Sequence, residues 1–399
     1  MPVTVINSAG RGAERANDLG DSPAVPSSSV PSSSAPLNPS YDLSNAKIAG
    51  PLQKFLEEDS VEEIWINGPN RIFLARHGKS ELAPLIISSQ EIRDIVERML
   101  AWSGRRVDLS QPFVDARLPN GARLHVVIPD ITSEYWTVNI RKKAIPAFAL
   151  NDLVAAETIS DDVAELLRIL VNSGGNLLIS GATQAGKTTV LNCLLGELPV
   201  SARLITIEEV FELTPRVADH VGLQTRQPNL EGSGEVNLRM LVKESLRMRP
   251  THLVIGEVRG AESLDLLLAL NSGVPGLASI HANSSLDALK KLSALPLLAG
   301  INIGHSFAID AVRSNIDFVI HCTKDSRGAR RISDISLVDK EPNISKLHTN
   351  SVLSWSGDEY QFAMIDFDLH PKFNAVHDFV RQQRRSLPVG SKARVLEEN

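Results

Sequence analysis

Cysteine is nearly absent from this chain of 399 residues: there are two, Cys193 and Cys322. They are far apart and lack metal-ligand spacing, so both are expected to be reduced core thiols in a cytoplasmic protein. Long apolar runs are missing as well. The longest, Leu264 to Leu270, falls well short of the roughly 20 residues that span a bilayer, and the N-terminus lacks the apolar core of a signal peptide. No direct membrane insertion is expected, and any membrane role passes through a partner. Basic charge is not in excess: 41 Lys and Arg stand against 47 Asp and Glu, a formal net charge of −6. That balance gives no overall reason to propose nucleic acid. Aromatic residues are only 5% of the chain, and no basic stripe interleaved with stacking rings supports a helicase.

What is present begins with a phosphate loop. Gly181, Ala182, Thr183, Gln184, Ala185, Gly186, Lys187 and Thr188 spell G-x-x-x-x-G-K-T. The glycines let backbone N–H groups close around phosphate oxygens, Lys187 is placed for the β/γ-phosphates of ATP, and the Thr188 hydroxyl for Mg²⁺. Asn176 to Ser180 reads as a buried strand entering the loop. Thr188 to Leu198 reads as a helix closed by Pro199, its N-terminus facing the phosphates. A base-reading N/T-K-x-D is lacking, since Thr323-Lys324-Asp325-Ser326 has no final Asp; GTP is therefore the weaker choice of nucleotide.

The organisation follows from composition and periodicity. Residues 1–44 are a Ser/Pro-rich tail, typified by Ser27 to Ser34, expected to be disordered; a docking peptide is the alternative. Residues 45–149 read as an α+β domain. It has strands at Glu63 to Asn67, Arg71 to Ala75, Arg123 to Ile128 and Trp136 to Arg141, and an amphipathic helix from Ser89 to Trp102. In residues 150–345 apolar strands (Leu177–Ser180, Leu204–Ile207, Leu253–Ile255, Leu277–Ile280, Phe318–Ile320) alternate with helices, among them Leu238–Met248 and Glu262–Leu270. That alternation argues an α/β domain with a parallel sheet covered on both faces. Residues 346–399 read as a C-terminal extension of unknown role.

Hydrolysis needs a carboxylate at the end of a neighbouring strand, because strand C-termini line the crevice of an open α/β sheet. Glu257 ends one apolar strand, placed to polarise the attacking water or to organise Mg²⁺ through water. Glu208 and Glu209 end another, with Glu212 one turn on, and suit Mg²⁺-bound water. His281 ends a third, where it could be a hydrogen-bonding core residue or a γ-phosphate sensor. Arg117 and Arg123 flank the Pro119-Asn120-Gly121 turn, so two guanidinium forks can converge on one anion.

Six segments in this order, 181–189, 205–213, 224–236, 246–250, 254–262 and 279–284, resemble those of the type II/IV secretion ATPase superfamily, most closely its TadA/CpaF branch, which powers assembly of Tad-type pili. The likeness covers about residues 48 to 337. It implies a RecA-like P-loop ATPase domain preceded by a smaller α+β domain, and six subunits in a ring at the cytoplasmic membrane face, working on an inner-membrane platform protein. It also implies that Gly181, Gly186, Lys187, Thr188 and Thr189 form the Walker A loop. Glu208, Glu209 and Glu212 would be an acidic box, Glu257 the Walker B carboxylate, and His281 the second histidine of a His box. Arg117, Arg123 and Arg141 would be N-domain groups reaching over the phosphates. Two departures stand out. Glu209 replaces a usual Asp, and Val274 occupies the place of the first histidine. A conjugation or export motor, and a nucleotide-binding scaffold that does not turn over, are the rival readings.

Overall fold

The computed structural model describes residues 48–76, 79–142, 149–228, 232–300, 302–341, 346–363, 365 and 370–386, and all of these fall within one compact unit, residues 44–399. The Ser/Pro-rich stretch 1–44 lies outside the described residues.

The first part of the unit is one helix-backed antiparallel sheet. Its elements are α1 (Gln53–Glu57), β1 (Val61–Ile66), β2 (Ile72–Arg76), β3 (Lys79–Leu82), α2 (Ser89–Ser103), β4 (Phe113–Arg117), β5 (Arg123–Val127) and β6 (Thr137–Arg141). The strands lie in the order β3-β2-β1-β6-β5-β4. Helix α2 forms because Ser88 caps it, its side chain accepting from Glu91 N at 3.2 Å, and Gly104 ends it in the left-handed conformation. Its buried stripe, Ile92, Ile95, Val96, Met99 and Leu100, packs into one core with Val114, Ala116, Leu124, Val126, Val138 and Ile140 of the sheet. Strand residues alternate between faces. The positions between those core residues therefore point away from α2, and Arg117, Arg123 and Arg141 are among them.

The second part holds α3 (Leu150–Ala155), α4 (Asp161–Asn172), β7 (Leu177–Gly181), α5 (Lys187–Leu195), β8 (Arg203–Glu208), β9 (Asp219–Gln224), α6 (Leu238–Ser245), β10 (His252–Ile255), α7 (Glu262–Asn271), β11 (Gly276–His281), α8 (Ser285–Ala294), α9 (His305–Asn315), β12 (Phe318–Lys324), β13 (Arg330–Val338), β14 (Thr349–Trp355), β15 (Tyr360–Phe362) and α10 (Asn374–Ser386). Nine strands form one sheet, β15-β14-β13-β12-β7-β11-β10-β8-β9. From β12 to β9 every neighbour is parallel, and from β12 to β15 every neighbour is antiparallel. Separate apolar cores contain α4 and α5 residues in one case and α6 to α9 residues in the other, so helices cover both faces.

Two helices end differently from the expectation. Helix α5 stops at Leu195, where Gly196 N–H folds onto the Asn192 and Cys193 carbonyls. The last turn after α6 tightens to 3₁₀ over Leu246–Met248. There Arg249 ends the turn with a left-handed φ of 56°, and Pro250, which has no N–H to give, cannot continue the helix.

Residues beyond 345 add to the sheet and its core. Strands β14 and β15 extend its antiparallel end. Phe373 is fully buried with its ring edge-on to Phe318, centroids 4.9 Å apart. Lys372 reaches the buried Asp317 at 2.6 Å, beside Lys340 at 3.1 Å. Removing a ring buried in this way typically costs about 3–5 kcal/mol. Phe373→Ala should lower unfolding stability by about that much in a denaturant titration; an unchanged midpoint would mean the C-terminal segment is only loosely docked.

Candidate nucleotide site

The register of three parallel strands shapes the loop. Gly181 pairs with His281 of β11 on one side and Cys322 of β12 on the other. At φ 149° a Cβ on residue 181 would collide with the Cys322 carbonyl oxygen, so only glycine fits. Gly186, at φ 97°, is the N-cap of α5 and turns the chain so that the helix's first N–H groups face the loop. Ala182 and Thr183 are exposed at the tip, Ala185 is buried, and Thr188 and Thr189 sit half-buried in the first turn of α5.

Lys187 is only 7% exposed. Its Nζ donates to the carbonyls of Gly181 at 3.1 Å and Ala182 at 3.0 Å, and lies 3.0 Å from His281 Nδ1. An ammonium has no lone pair, so His281 Nδ1 is the acceptor, and the proton on the ring sits on Nε2. That nitrogen lies 2.8 Å from Glu257 Oε1. Glu257 Oε2 accepts from Arg259 at 2.7 Å, and Arg259 donates to Glu209 at 3.0 Å. Burial pushes the Lys187 pKa down, opposed by Glu257. Burial, together with Lys187 and Arg259, holds the His281 pKa below its ordinary value, so the ring is neutral at physiological pH. Burial alone would raise the Glu257 pKa, but the Arg259 hydrogen bond and the nearby His281 and Lys187 hold it below the usual carboxylate value.

Thr188 shares one cleft with Glu208, Glu209, Glu257 and the guanidiniums of Arg123 and Arg259. Glu208 is 4% exposed, and its Oε2 accepts from the backbone of Glu212 at 2.7 Å and Leu213 at 2.9 Å. It thus fixes the turn that presents Glu212, which in turn takes Arg123 from the first sheet at 2.5 Å. Arg117 pairs with Arg123, Arg123 with Arg141, and Arg141 with Glu63 across β4, β5, β6 and β1. Directly opposed strand residues share a face. This row is the face that meets the second sheet, through Arg123 to Glu212 and through Glu63 to Gln184 at 2.8 Å.

Residues 45–353 match the type II/IV secretion system protein family. The chain belongs to that family. A Mycobacterium tuberculosis protein named for conjugal transfer is 33% identical over 300 residues, spanning 73% of this chain and 84% of that one. The type IV secretion system protein PtlH of Bordetella pertussis is 29% identical over 308 residues, spanning 70% and 91%. The X-ray structure of the Legionella pneumophila ATPase DotB has the same fold, with a TM-score of 0.52 at 16% identity over 84% of this chain and 85% of that one. The chain is thus an ATPase motor of secretion or pilus assembly, with an N-terminal domain ahead of a RecA-like ATPase domain.

Seen as a secretion ATPase, the chain has oxygen donors that fit Mg²⁺: the Thr188 hydroxyl and the carboxylates of Glu208, Glu209, Glu212 and Glu257 line the cleft. Among the described residues no three His, Cys, Asp or Glu side chains converge on a ready metal cage. Such an open set suits an ion that keeps its waters and takes substrate phosphates. Val274 precedes β11 at the opposite edge of the sheet from His281, about 20 Å away by strand length. A histidine there would not reach the phosphate loop. Three contributors escaped the sequence reading. Arg259, bridging two of the carboxylates, was signalled by its place two residues after Glu257. Glu63, a charge buried in a strand, and Arg330, which donates to the Gln184 carbonyl at 2.9 Å, gave no local signal.

Burial pushes the Glu208 carboxyl up to about 7 from an ordinary 4.5, against the two backbone donors. The unfolded chain releases this proton at a lower pH than the folded one. Stability therefore falls as pH rises from 4.5 to about 7, and the loss is complete above that window. Glu208→Gln keeps an acceptor for the turn and should flatten this fall by about 3 kcal/mol. Denaturation curves taken from pH 4.5 to 8 that run parallel for the two proteins would refute the assignment.

Proposed function

We propose that this secretion ATPase is a Mg²⁺-dependent P-loop enzyme that hydrolyses ATP to ADP and phosphate as a homohexamer. It would act at the cytoplasmic membrane face, through an inner-membrane platform protein, to power pilus assembly of the TadA/CpaF type. The observation that carries the chemistry is the connected chain Lys187–His281–Glu257–Arg259–Glu209, set beside Thr188 at the C-terminal edge of parallel strands. Two other observations bear on the setting. Among the described residues no helix is long and apolar enough to cross a membrane, which fits attachment through a partner. The M. tuberculosis relative is named for conjugal transfer, which favours a conjugation motor as the second reading. Neighbouring genes discriminate: prepilin and prepilin-peptidase genes support pili, and a relaxase gene supports conjugation.

In this reading the backbone N–H groups of residues 182 to 189 bind the phosphates. Lys187 exchanges its two loop carbonyls for β/γ-phosphate oxygens. Its contact with His281 then changes, and His281 relays that change to Glu257, as a γ-phosphate sensor would. Glu257, kept ionised by Arg259, polarises the attacking water. Thr188, with water ordered by Glu208 and Glu209, would hold Mg²⁺, which when bound neutralises charge on the phosphate oxygens. Arg117, Arg123 and Arg141 lie in one row facing this cleft's side of the molecule. Arg123, now paired with Glu212, is the one nearest to exchanging a carboxylate for a phosphate.

Phosphate release tests all of this and separates an enzyme from a silent scaffold. Lys187→Ala should abolish binding or turnover. Glu257→Gln should bind ATP yet hydrolyse it on the order of 10²–10⁴ more slowly. The Arg117→Ala, Arg123→Ala double variant should lose about 10³ in kcat if these groups act as arginine fingers. Near wild-type release from Glu257→Gln, or from the double arginine variant, would remove that residue's role.

A further inference from the structure

Gln184 is the one residue in 181–188 that is left-handed without being glycine, at φ 63°. That backbone conformation is disfavoured for an L side chain and persists only where the surroundings over-determine it. The surroundings here come from two different sheets. The Gln184 Nε2 donates to Glu63 Oε1 of β1 at 2.8 Å. Its backbone carbonyl accepts from Arg330 Nε of β13 at 2.9 Å. Glu63 is 7% exposed, and the same Oε1 lies 3.5 Å from Arg141 Nε. A buried carboxylate with two polar neighbours is a firm anchor. The mid-loop residue is thus held at both ends, once by the N-terminal domain and once by the ATPase sheet.

The conformation of residue 184 bears on the phosphates directly. A left-handed residue within a turn directs successive backbone N–H groups into one concavity, which is the anion-binding shape of such loops. We propose that Gln184 couples the position of the N-terminal domain to the shape of the phosphate loop. With Glu63 docked, the loop is held in its anion-binding form; when the domain withdraws, residue 184 relaxes and phosphate affinity falls. Gln184 and Glu63 act as positioning residues, neither replacing Lys187 nor Glu257. The inference rests on the nucleotide-binding reading above.

The test uses the full chain, a fluorescent non-hydrolysable ATP analogue for equilibrium affinity, and kcat and KM in parallel. Gln184→Ala keeps the unfavourable backbone and loses the tie, and should bind roughly tenfold more weakly, the size of a hydrogen bond to a charged group. Glu63→Ala should match it, and the double variant should be no weaker than either. The change should lie in KM, with kcat within about twofold. Glu63→Gln, which keeps an acceptor, should restore affinity to within about twofold of wild type. Gln184→Gly removes the backbone penalty along with the tie. It should bind more tightly than Gln184→Ala and be indifferent to Glu63→Ala, and the first of these comparisons holds even if Glu63→Ala fails to fold. Effects that multiply in the double variant, a Gln184→Gly as weak as Gln184→Ala, or wild-type affinity throughout would overturn the coupling. A wild-type protein that binds no nucleotide would overturn both this inference and the proposed function, whereas a binding wild type with multiplying effects sinks the coupling alone.

Discussion

Lys187 carries a positive charge into a place that is 7% exposed, and an ammonium removed from water costs several kcal/mol unless its three protons are satisfied. Two loop carbonyls and one imidazole nitrogen satisfy them. Each of those partners is placed by the sheet. The Gly181 carbonyl is where it is because residue 181 lies flush against β12, and His281 is where it is because β11 pairs with β7 in that register. The need to keep one cation solvated by protein atoms thus fixes the end of three strands. It also fixes the protonation of His281: facing an ammonium, the ring is neutral and carries its proton on Nε2, 2.8 Å from Glu257 Oε1. Any further acceptor at Lys187 would have to displace one of these three partners, since an ammonium has three protons to give.

The N-terminal domain meets this arrangement with the opposite sign. Its sheet has one apolar face, filled by α2, and one face on which Arg117, Arg123, Arg141 and Glu63 stand side by side. Three adjacent guanidiniums repel one another, and the row is tolerable because carboxylates come to it: Glu212 takes Arg123, and Glu63 lies beside Arg141. The Arg123–Glu212 pair is partly exposed, so its contribution to stability is small. An ion pair of that kind can trade its carboxylate for another anion without large loss.

Much of this arrangement is legible in the amino-acid sequence. Strands β7, β8, β10, β11 and β12 each carry a short apolar run, and burial on both faces is what such runs require; the acids and the histidine that end three of them are therefore assignable to one sheet edge. The phosphate loop was read from its spacing alone. The arginine row was only half visible. Arg117 and Arg123 flank a turn, but that Arg141 and Glu63 continue the row depends on β6 inserting between β1 and β5, a non-local pairing with no local signature. Residues 349–362 stayed unread because β14 and β15 mix polar and apolar residues, as edge-ward antiparallel strands do when one face is wet. The G-x-x-x-x-G-K-T spacing places Gln184 in the loop without specifying its conformation; its left-handed backbone goes with contacts to Glu63 and Arg330, 121 and 146 residues away in the chain.

The two edges of the central sheet use the same kind of pair for different ends. At the edge where the strands begin, Asp317 is 4% exposed and fully engaged by Lys340, Lys372 and the Asn176 backbone N–H. Removing any of these would strand a buried charge, so the group can only hold the fold and the C-terminal segment together. At the edge where the strands end, the side chains of Glu257 and Glu209 are 23% and 46% exposed, and Arg259 bridges them. Water reaches that bridge, so its partners can be exchanged at little cost. Degree of burial, more than residue type, separates the pair that anchors from the pair that is free to exchange.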